Sequence, residues 1–390
     1  MSTIQCDVLV VGGGIAGSTC ATVLDKLGVH DVHLIEKSKK IGQSHSQKID
    51  FAEDKGLKKL LTKYNLPILK ETNISRWFSP NQNMFELRSN IHDIWFKRGD
   101  SNSYENSVLK KSNVNIVIDT KVISINNNCV TVVNQSTQEK MTYEPRTIVI
   151  ATGSHPPFFS NDKKENIIQT MHTKGFIFDK IDIDPDVPHI FFDNTLFPGS
   201  YLYMVQHSEE NTGYFAYGTT AENNFGLEDF KKKNVIGKAI SKSKIKKHIH
   251  GDLYVAKPCS LSQDNMLFIG DAANLMDPFL SYGVTNAIKS GVFAAEAIAS
   301  GKDIHEEYKL SVNQEIVTEF KRQFKMRQFL NKLENEDIDC IVKLFNNLNE
   351  EGNIEKLFDN LPKLTSRVTP LLLKDLRLIK ILFKGIGCVI

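Results

Sequence analysis

Three glycines and one carboxylate near the amino terminus have the spacing of a phosphate-binding site. Gly12, Gly14 and Gly17 form a Gly-x-Gly-x-x-Gly turn, and Glu36 follows about 20 residues later. In such a turn the first glycine permits a tight bend, the second lets a pyrophosphate approach the backbone, and the third lets the next helix pack closely on the strand. The carboxylate can accept hydrogen bonds from ribose hydroxyls. The chemistry predicted for these residues is the binding of a dinucleotide.

The surrounding sequence predicts the elements that must position this turn. The apolar run Val8–Val11 predicts a strand before the glycines, and the small residues of Ser18–Leu27 predict a helix after them. The N-terminus of that helix offers free N–H groups and a partial positive charge, which favour phosphate. A second apolar run, Val32–Ile35, predicts the strand that ends in Glu36. A glycine-rich packing turn is the alternative for the glycines alone, but the flanking strands and the acid favour a nucleotide site.

Two later segments favour FAD over a nicotinamide dinucleotide. Thr147–Pro156 is typical of a buried strand followed by a small-residue turn at Gly153. Asn265–Gly291 is typical of a strand that ends in Gly-Asp and is followed by a helix. At the end of that strand Asp271 can accept a hydrogen bond from a ribityl hydroxyl. The backbone of Gly283–Val284, at the helix N-terminus, can face the isoalloxazine edge and stabilise negative charge on the reduced ring. A plain Gly-Asp turn with a helix cap is the alternative for this segment alone.

These motifs together resemble those of the flavin monooxygenases related to p-hydroxybenzoate hydroxylase. The family pattern Gly-Asp-Ala-Ala, Asp-Pro-Phe and Ser-x-Gly-Val occurs over Gly270–Val284. It is most similar to the branch that holds flavin-dependent halogenases and geranylgeranyl reductases. Ile41–Ser44 resembles that branch's Ile-Gly-Glu-Ser turn, with Gln43 in place of glutamate, and Trp95–Gly99 resembles the segment whose arginine contacts the flavin. The resemblance spans residues 1 to about 300.

The resemblance implies an α/β fold with a Rossmann-type FAD-binding domain, an inserted antiparallel-sheet substrate domain and a helical C-terminal region. It also implies that Arg98 contacts the flavin and that the backbone of Val122 meets the adenine. The predicted FAD-binding residues are Gly12, Gly14, Ile15, Ala16, Gly17, Glu36, Lys37, Ser44, Arg98, Val122, Gly153, Asp271, Gly283 and Val284.

The chain also departs from the family pattern. Ala151-Thr152-Gly153 stands where many relatives carry Ala-Asp-Gly, whose aspartate helps to hold FAD and, in some hydroxylases, the nicotinamide donor. Direct use of NADPH is therefore not predicted. The Trp-x-Trp-x-Ile-Pro segment of halogenases is absent, because Trp77 and Trp95 are the only tryptophans. The lack of a second glycine fingerprint between Gly153 and Gly270 argues against a two-nucleotide disulfide reductase.

Composition and charge narrow the class of protein. The chain has 390 residues, of which 41% are hydrophobic and 24% charged, as in soluble globular proteins. The net charge of +2 argues against a dedicated nucleic-acid binder. No apolar run reaches the ~18 residues of a membrane span, no secretory signal is recognisable, and the six cysteines lack metal or redox spacing. We therefore expect a cytoplasmic protein with reduced thiols and no bound metal.

The motifs predict a discontinuous domain organisation. The predicted domains are an FAD-binding domain of residues 1–75, 100–165 and 258–300, a substrate domain of residues 76–99 and 166–257, and a helical region of residues 301–390. Alternating aromatic and polar residues in Ser200–His207 and Gly213–Thr219 predict the antiparallel sheet of the substrate domain. Helical spacing predicts one or two long helices over Ile304–Asn347. The apolar and basic stretch Thr365–Ile390 predicts a docked helix, with a surface-seeking amphipathic helix as the alternative.

The densest positive run extends from Lys231 to His248. We interpret it first as the solvated face of a helix. Because it lies in the predicted substrate domain, contact with an acidic or macromolecular substrate is the alternative.

A flavin enzyme does not need an obvious acid–base motif, because the cofactor carries the difficult chemistry. The candidate catalytic residues are His45 and Lys48, which follow the Ile-Gly-Gln-Ser turn and could line the active face of the flavin. A surface-loop position is the alternative for His45.

Several functions remain open. We predict first an FAD-dependent monooxygenase that hydroxylates an aromatic small molecule, or a tryptophan side chain of a partner protein during maturation of a peptide-derived quinone cofactor. The main alternative is a reductase of the geranylgeranyl-reductase type, acting on a lipid or another unsaturated substrate, whose apolar C-terminal segment would meet a lipid or membrane surface. Flavin-dependent halogenation and a non-catalytic flavin-binding assembly role are the remaining alternatives.

Overall fold

The computed structural model describes residues 3–43, 48–126, 128–154, 166–220 and 226–349, together with Arg377, Lys380, Ile381 and Lys384, and for residues 89–92 and 347–349 the backbone alone. The chain divides into two compact units. Unit 1 comprises Met1–Glu71, Asp93–Ile168 and Tyr254–Lys321, and unit 2 comprises Thr72–His92, Gln169–Leu253 and Arg322–Ile390.

The described strands and helices follow one another along the whole chain. The strands are β1 (Thr3–Val11), β2 (Val32–Ile35), β3 (Ile49–Glu53), β4 (Lys70–Phe78), β5 (Met84–Lys97), β6 (Asn115–Val117), β7 (Thr120–Asn126), β8 (Cys129–Asn134), β9 (Lys140–Ile150), β10 (Ile167–Phe178), β11 (His189–Phe191), β12 (Leu202–His207), β13 (Thr212–Thr219), β14 (Ile245–Ala256), β15 (Ser262–Gln263) and β16 (Met266–Phe268). The α-helices are α1 (Ile15–Lys26), α2 (Leu57–Lys63), α3 (Tyr104–Leu109), α4 (Leu227–Lys231), α5 (Asn234–Ile240), α6 (Val284–Ala299), α7 (Ile304–Val312), α8 (Thr318–Lys332) and α9 (Asn335–Asn349).

Unit 1 is built on a mainly parallel sheet with the strand order β15-β16-β9-β1-β2-β6. The central strand β1 pairs in parallel with both neighbours, so that Val8 lies opposite Val32 on one side and Thr147 on the other. Residues 8–11 are at most 5% exposed, as expected for a strand that is covered on both faces. The order β1, α1, β2 is the predicted βαβ unit, which places the glycine turn at the carboxyl edge of the sheet.

Unit 2 contains the predicted antiparallel sheet. Within it β14, β10, β13, β12, β11, β4 and β5 follow one another. Strands β10, β13 and β12 are antiparallel, and Phe215 lies opposite both Phe176 and Met204. Because side chains alternate across each strand, one face presents a row of large apolar residues. The core formed there includes Phe178, Phe197, Leu202, Met204, Phe215, Tyr217 and Phe230.

Over the predicted range the described residues form two long helical runs, residues 304–332 and α9, in agreement with the prediction of one or two long helices. A π-helical segment, Asn313–Val317, joins α7 to α8. The chain then breaks between α8 and α9, where the Glu334 N–H donates to the Asp337 carboxylate and the Asp337 N–H to the Glu334 carbonyl, both at 3.0 Å. This reciprocal pair in the first turn of α9 favours a new helix start over continuation. No helix within the described residues is both long and apolar enough to cross a membrane.

The positive run from Lys231 to His248 is not the face of a single helix, as first interpreted. It occupies α4, α5, a turn at Ser241–Lys242 and the first part of β14. The residues from Ile245 onward are strand because they extend the sheet beside β10.

Candidate functional site

The first and third glycines of the fingerprint fill packing roles that no other residue could fill. Gly12 has a φ of +112°, and a Cβ there would lie 2.9 Å from the carbonyl carbon of Ala151. A Cβ at Gly17 would lie within 3.0 Å of the carbonyl oxygen of Gly12 and 3.1 Å from the Cβ of Ala151. These two glycines therefore allow α1 to pack against the ends of β1 and β9.

Gly14 differs from the other two because it faces open space. A Cβ at Gly14 would meet no protein atom within 4 Å. Its backbone is extended, with φ −76° and ψ −174°, and it is the N-cap of α1 without a side-chain cap. The first N–H groups of α1, at Ile15–Ala16, have no intrahelical partner. The structure thus leaves an uncapped helix N-terminus beside a cradle that a side chain would fill, which suits a pyrophosphate.

The carboxylate of Glu36 is held in place by two backbone N–H groups. One oxygen accepts from the Gly13 N–H and the other from the Ser38 N–H, both at 2.8 Å, and the residue is only 8% exposed. Each carboxylate oxygen keeps a further lone pair that a ribose hydroxyl can use. Lys37 lies beside it with its side chain exposed, and its carbonyl accepts a hydrogen bond from the Gln135 amide.

The turn after β9 lies next to the glycine fingerprint. Gly153 has a φ of +77°, and a Cβ there would meet nothing within 4 Å. The Thr152 hydroxyl is buried and has no hydrogen-bond partner within the described residues. A buried hydroxyl without a partner is unfavourable, and here it stands where many relatives carry the FAD-holding aspartate. A bound ligand at this turn would supply the missing partner.

The third predicted segment brings Asp271 to the N-terminus of α6. Gly270 begins a 3₁₀ turn, Gly270–Ala273, and its N–H donates to the Ser290 hydroxyl at 2.9 Å. A Cβ at Gly283 would lie 3.2 Å from the Asp271 carboxylate. Gly283 is the N-cap of α6 without a side-chain cap, and Val284 is buried at the first helical position. The carboxylate and an open helix N-terminus therefore lie side by side.

Helices α1 and α6 pack so closely that the two motifs become neighbours. A Cβ at Gly291 would lie 2.6 Å from the Ala16 carbonyl oxygen, and a Cβ at Gly270 would lie 3.2 Å from the Ala16 Cβ. The pyrophosphate cradle and the Gly-Asp turn thus belong to one site in unit 1. The donors and acceptors present fit FAD: backbone N–H groups for phosphate, Glu36 for ribose, Asp271 for the ribityl chain and the α6 N-terminus for the ring.

Arg98 is held by two carboxylates of unit 1. Its Nε donates to Glu105 at 2.8 Å and its Nη1 to Asp50 at 2.9 Å, and the residue is 7% exposed. Such pairing fixes the orientation of the guanidinium. Its predicted contact with the flavin stays a prediction. Val122 is buried in β7 opposite Val132, and the contact of its backbone with adenine also stays a prediction.

The predicted catalytic segment is described only in part. Ser44 and His45 lie outside the described residues. Lys48 has an exposed side chain, and its carbonyl accepts a hydrogen bond from the Arg98 N–H at 2.7 Å. The catalytic roles proposed for His45 and Lys48 remain predictions.

A charged cluster near the Gly-Asp loop was missed by the sequence analysis. Lys55 forms ion pairs with Glu53 and, at 3.2 Å, with Asp277. Burial lowers the pKa of Lys55, but the two carboxylates outweigh it and raise that pKa above its usual value. Burial, and then the Glu53 carboxylate, raises the pKa of Asp93 to about 7. Burial lowers the pKa of Lys289, which pairs with Glu315 at 3.4 Å.

This cluster orders the loop that leads to the α6 N-terminus. The second oxygen of Asp277 accepts from the N–H groups of Phe279 and Leu280 at 2.7 and 3.0 Å. The Thr285 hydroxyl donates to the Glu53 carbonyl at 3.0 Å. The Asp-Pro-Phe motif marked this loop in the sequence, but no local signal connects Lys55 with a residue 222 positions later.

In unit 2 two aromatic rings pack against Trp77. Phe85 and Phe192 stack on it with centroid distances of 5.8 and 5.5 Å, and its indole N–H donates to the Ser75 hydroxyl at 2.9 Å. Trp77 therefore takes part in the aromatic packing of unit 2.

Comparisons with known proteins show which proteins this chain is similar to. A family model described as pyridine nucleotide-disulphide oxidoreductase matches residues 6–182. The digeranylgeranylglycerophospholipid reductase of Methanosarcina acetivorans is 26% identical over 401 aligned positions, which cover 97% of this chain and 96% of that protein. That of Methanococcoides burtonii is 25% identical over 76% of this chain and 74% of its own length.

Two solved structures show the same fold. A geranylgeranyl bacteriochlorophyll reductase-like protein from Thermoplasma acidophilum superimposes with a TM-score of 0.78 at 18% identity, covering 95% of this chain and all of that one. A probable FAD-dependent monooxygenase from Pseudomonas aeruginosa gives a TM-score of 0.64 at 14% identity, covering 87% and 99%. The predicted resemblance and fold class are confirmed: this chain is an FAD-dependent oxidoreductase with the fold shared by flavin monooxygenases and geranylgeranyl reductase-like proteins.

Proposed function

We propose that this protein is an FAD-dependent reductase that saturates carbon–carbon double bonds in the isoprenoid chains of a lipid. One observation carries the proposal: similarity to a digeranylgeranylglycerophospholipid reductase extends over 97% of this chain and 96% of that enzyme. The similarity therefore includes unit 2 and is not confined to the nucleotide-binding part. A digeranylgeranyl lipid carries many isolated double bonds, and their reduction requires a hydride and a proton for each.

The residues of unit 1 would hold the cofactor and orient its ring. FAD, when bound and first reduced by an external electron donor, would supply the hydride for the double bond and would be reoxidised in the step. The uncapped N-terminus of α6, at Gly283–Val284, places N–H dipoles where they stabilise negative charge. Asp271 beside it would accept a hydrogen bond from the ribityl chain, and Glu36 from the ribose. Lys55 and Asp277 keep the intervening loop ordered.

Substrate binding is assigned to unit 2 as part of the same proposal. This assignment keeps the predicted substrate domain of residues 76–99 and 166–257. Its support is the extent of the similarity to the reductase, which includes the antiparallel strands of unit 2.

Aromatic hydroxylation, the first choice from the sequence, has less support than reduction. The monooxygenases with the same fold are below 25% identity, so their likeness concerns the fold and not the reaction. Phe85 and Phe192 also stack on Trp77, which engages this ring in the packing of unit 2. The same reasoning weakens the tryptophan-oxidation and halogenation alternatives.

The test is anaerobic turnover of the FAD-loaded protein. The flavin is reduced with dithionite, a digeranylgeranyl lipid is added, and the lipid is analysed by mass spectrometry. We expect mass increases of two hydrogen atoms for each reduced bond, together with reoxidation of the flavin. In a parallel experiment the reduced protein meets air and an aromatic substrate. Incorporation of an oxygen atom there, with no change in the anaerobic lipid, would replace this proposal by the monooxygenase.

A further inference from the structure

One edge of the unit 2 sheet carries an excess of exposed positive side chains. We call it the basic edge, and its exposed members are Lys242, Lys244, Lys246, Lys247, His248 and His250. They lie in the turn before β14 and along its first half, and β14 is the last strand in the sheet order. Strand β14 runs antiparallel to β10. Two contacts show this direction: His172 forms a hydrogen bond with Asp252, and Phe176 packs against the ring of His248.

The lysines of the basic edge differ from the preceding lysines in their partners. Lys231 and Lys232 in and after α4 pair with Glu228 and Asp229, at 2.7 and 3.0 Å. Lys233 pairs with Asp193 at 2.8 Å. In contrast, none of the four lysines of the basic edge forms an ion pair in the part of the chain that the structure describes. The positive run thus begins with three ion-paired lysines, Lys231–Lys233, and ends in the basic edge, whose lysines form no ion pair with a described residue.

Two carboxylates, Asp179 and Asp252, lie beside the basic edge, and both take part in hydrogen bonds. Asp179 accepts the backbone N–H groups of Lys180 and Lys244, both at 2.8 Å. Asp252 is bonded to His172 at 2.9 Å. Two carboxylates beside four lysines leave a net positive field at this edge, and such a field attracts an anionic surface within about a Debye length.

An apolar side chain lies among these cations. Ile245 is 39% exposed at the start of β14, between Lys244 and Lys246. Exposed cations around an exposed aliphatic group suit the headgroup region of a bilayer, where lysines meet lipid phosphates and an apolar side chain enters the interface. An acidic protein would use the cations but would gain less from an isolated aliphatic group.

We infer that the basic edge docks this protein on an anionic phospholipid surface. The inference rests on the proposed function in one respect, since an enzyme that reduces a membrane lipid must bind at the membrane surface. The basic edge shares no residue with the predicted FAD-binding set, so it can be tested without substituting a residue of the flavin site.

The experiment is co-sedimentation of the FAD-loaded protein with phosphatidylcholine vesicles that contain or lack phosphatidylglycerol. The variant K244Q/K246Q removes two cations of the basic edge, and the matched control K231Q/K232Q removes two paired cations of the same unit. Since each lysine at an anionic surface contributes about 1 kcal/mol, the partition coefficient should fall at least about tenfold in the first variant and less than about twofold in the control. Binding of the unchanged protein should weaken with salt and require phosphatidylglycerol.

Three results would overturn the docking inference: equal binding of both variants, loss in both to the same degree, or no binding of the unchanged protein to anionic vesicles. Binding to polyglutamate in place of vesicles, dependent on Lys244 and Lys246, would assign the surface to an acidic protein instead. Failure of the proposed function would be distinguishable, because vesicle binding would remain while no lipid was reduced. Dispersed geranylgeraniol, offered without vesicles, should be reduced equally by both variants if both proposals hold.

Discussion

Two alanine variants, Gly14→Ala and Gly17→Ala, should separate the effect of the fingerprint on cofactor binding from its effect on folding. Each variant adds one methyl group. The methyl group of Gly17→Ala would lie within 3.0 Å of the Gly12 carbonyl oxygen. The methyl group of Gly14→Ala would meet no protein atom within 4 Å and would enter the space assigned to the pyrophosphate. The first change should therefore destabilise the fold, and the second should weaken FAD binding.

The expected magnitudes follow from these contacts. At Gly17 the helix propensity of alanine contributes about 1 kcal/mol in favour of the variant, but overpacking against a fixed backbone carbonyl costs up to about 3 kcal/mol. We expect a net loss of about 2 kcal/mol in the free energy of unfolding. At Gly14 the backbone is one that alanine readily adopts, and the poorer N-cap costs about 0.5 kcal/mol. The displaced pyrophosphate should weaken FAD binding about a hundredfold, which is about 2.8 kcal/mol.

The assay measures the two free energies separately. Urea unfolding of the FAD-free proteins gives stability without the contribution of bound cofactor, which would otherwise be added by mass action. Titration of the same preparations with FAD, followed by quenching of flavin fluorescence, gives the dissociation constants. A Gly14→Ala protein that bound FAD as tightly as the unchanged protein would refute the assignment of the cradle. Equal destabilisation by the two variants would refute the packing argument.

Three further predictions concern charged groups of unit 1. Because the pKa of Asp93 is raised to about 7 from its ordinary 3.8, the folded chain binds a proton that the unfolded chain has released. Stability should therefore fall by up to about 4 kcal/mol as the pH rises from 4 to 7, and urea unfolding of Asp93→Asn across that range should show a flatter profile. Lys55→Met removes two largely buried ion pairs and should cost about 2 kcal/mol, whereas Lys58→Met removes only an exposed ion pair and should cost much less. Thermal unfolding would compare them, and equal losses would contradict the cluster. Asp271→Ala should weaken FAD binding about tenfold while the secondary structure, measured by circular dichroism, stays unchanged.

The parts of the site that the sequence could predict are those governed by local backbone constraints. Gly12, Gly14 and Gly17 occupy one turn, and their roles depend on whether a Cβ fits, which the spacing encodes directly. Asp271 and Gly283 lie 12 positions apart, and their proximity follows from a strand end and a helix start within one motif. The βαβ unit around them was predictable because periodicity identifies its strands and its helix, whereas the fold class was implied by the resemblance to flavin monooxygenases.

The parts that the sequence could not predict depend on distant pairs and on turns without a strong signal. Lys55 and Asp277 are 222 positions apart, and the sequence around either residue carries no motif that predicts their ion pair. The run from Lys231 to His248 has helical charge spacing, yet its second half joins a sheet, because pairing with β10 overrides local pattern. The break before α9 rests on the reciprocal pair of Glu334 and Asp337, whose residue types also occur within uninterrupted helices.

The FAD cradle itself does not distinguish a reductase from a monooxygenase. Both reactions start from a reduced flavin, and both need the phosphate, ribose and ring contacts that Gly14, Glu36 and Gly283 are placed to make. The difference must arise from what meets the flavin next, a double bond or oxygen, and from the residues that admit or exclude each. Those residues belong to the substrate-binding elements, which is why similarity over the whole chain, unit 2 included, carries more weight than any residue of the cradle. A variant of unit 2 that changes the choice between lipid reduction and oxygen consumption, at unchanged FAD affinity, would locate that decision in the fold.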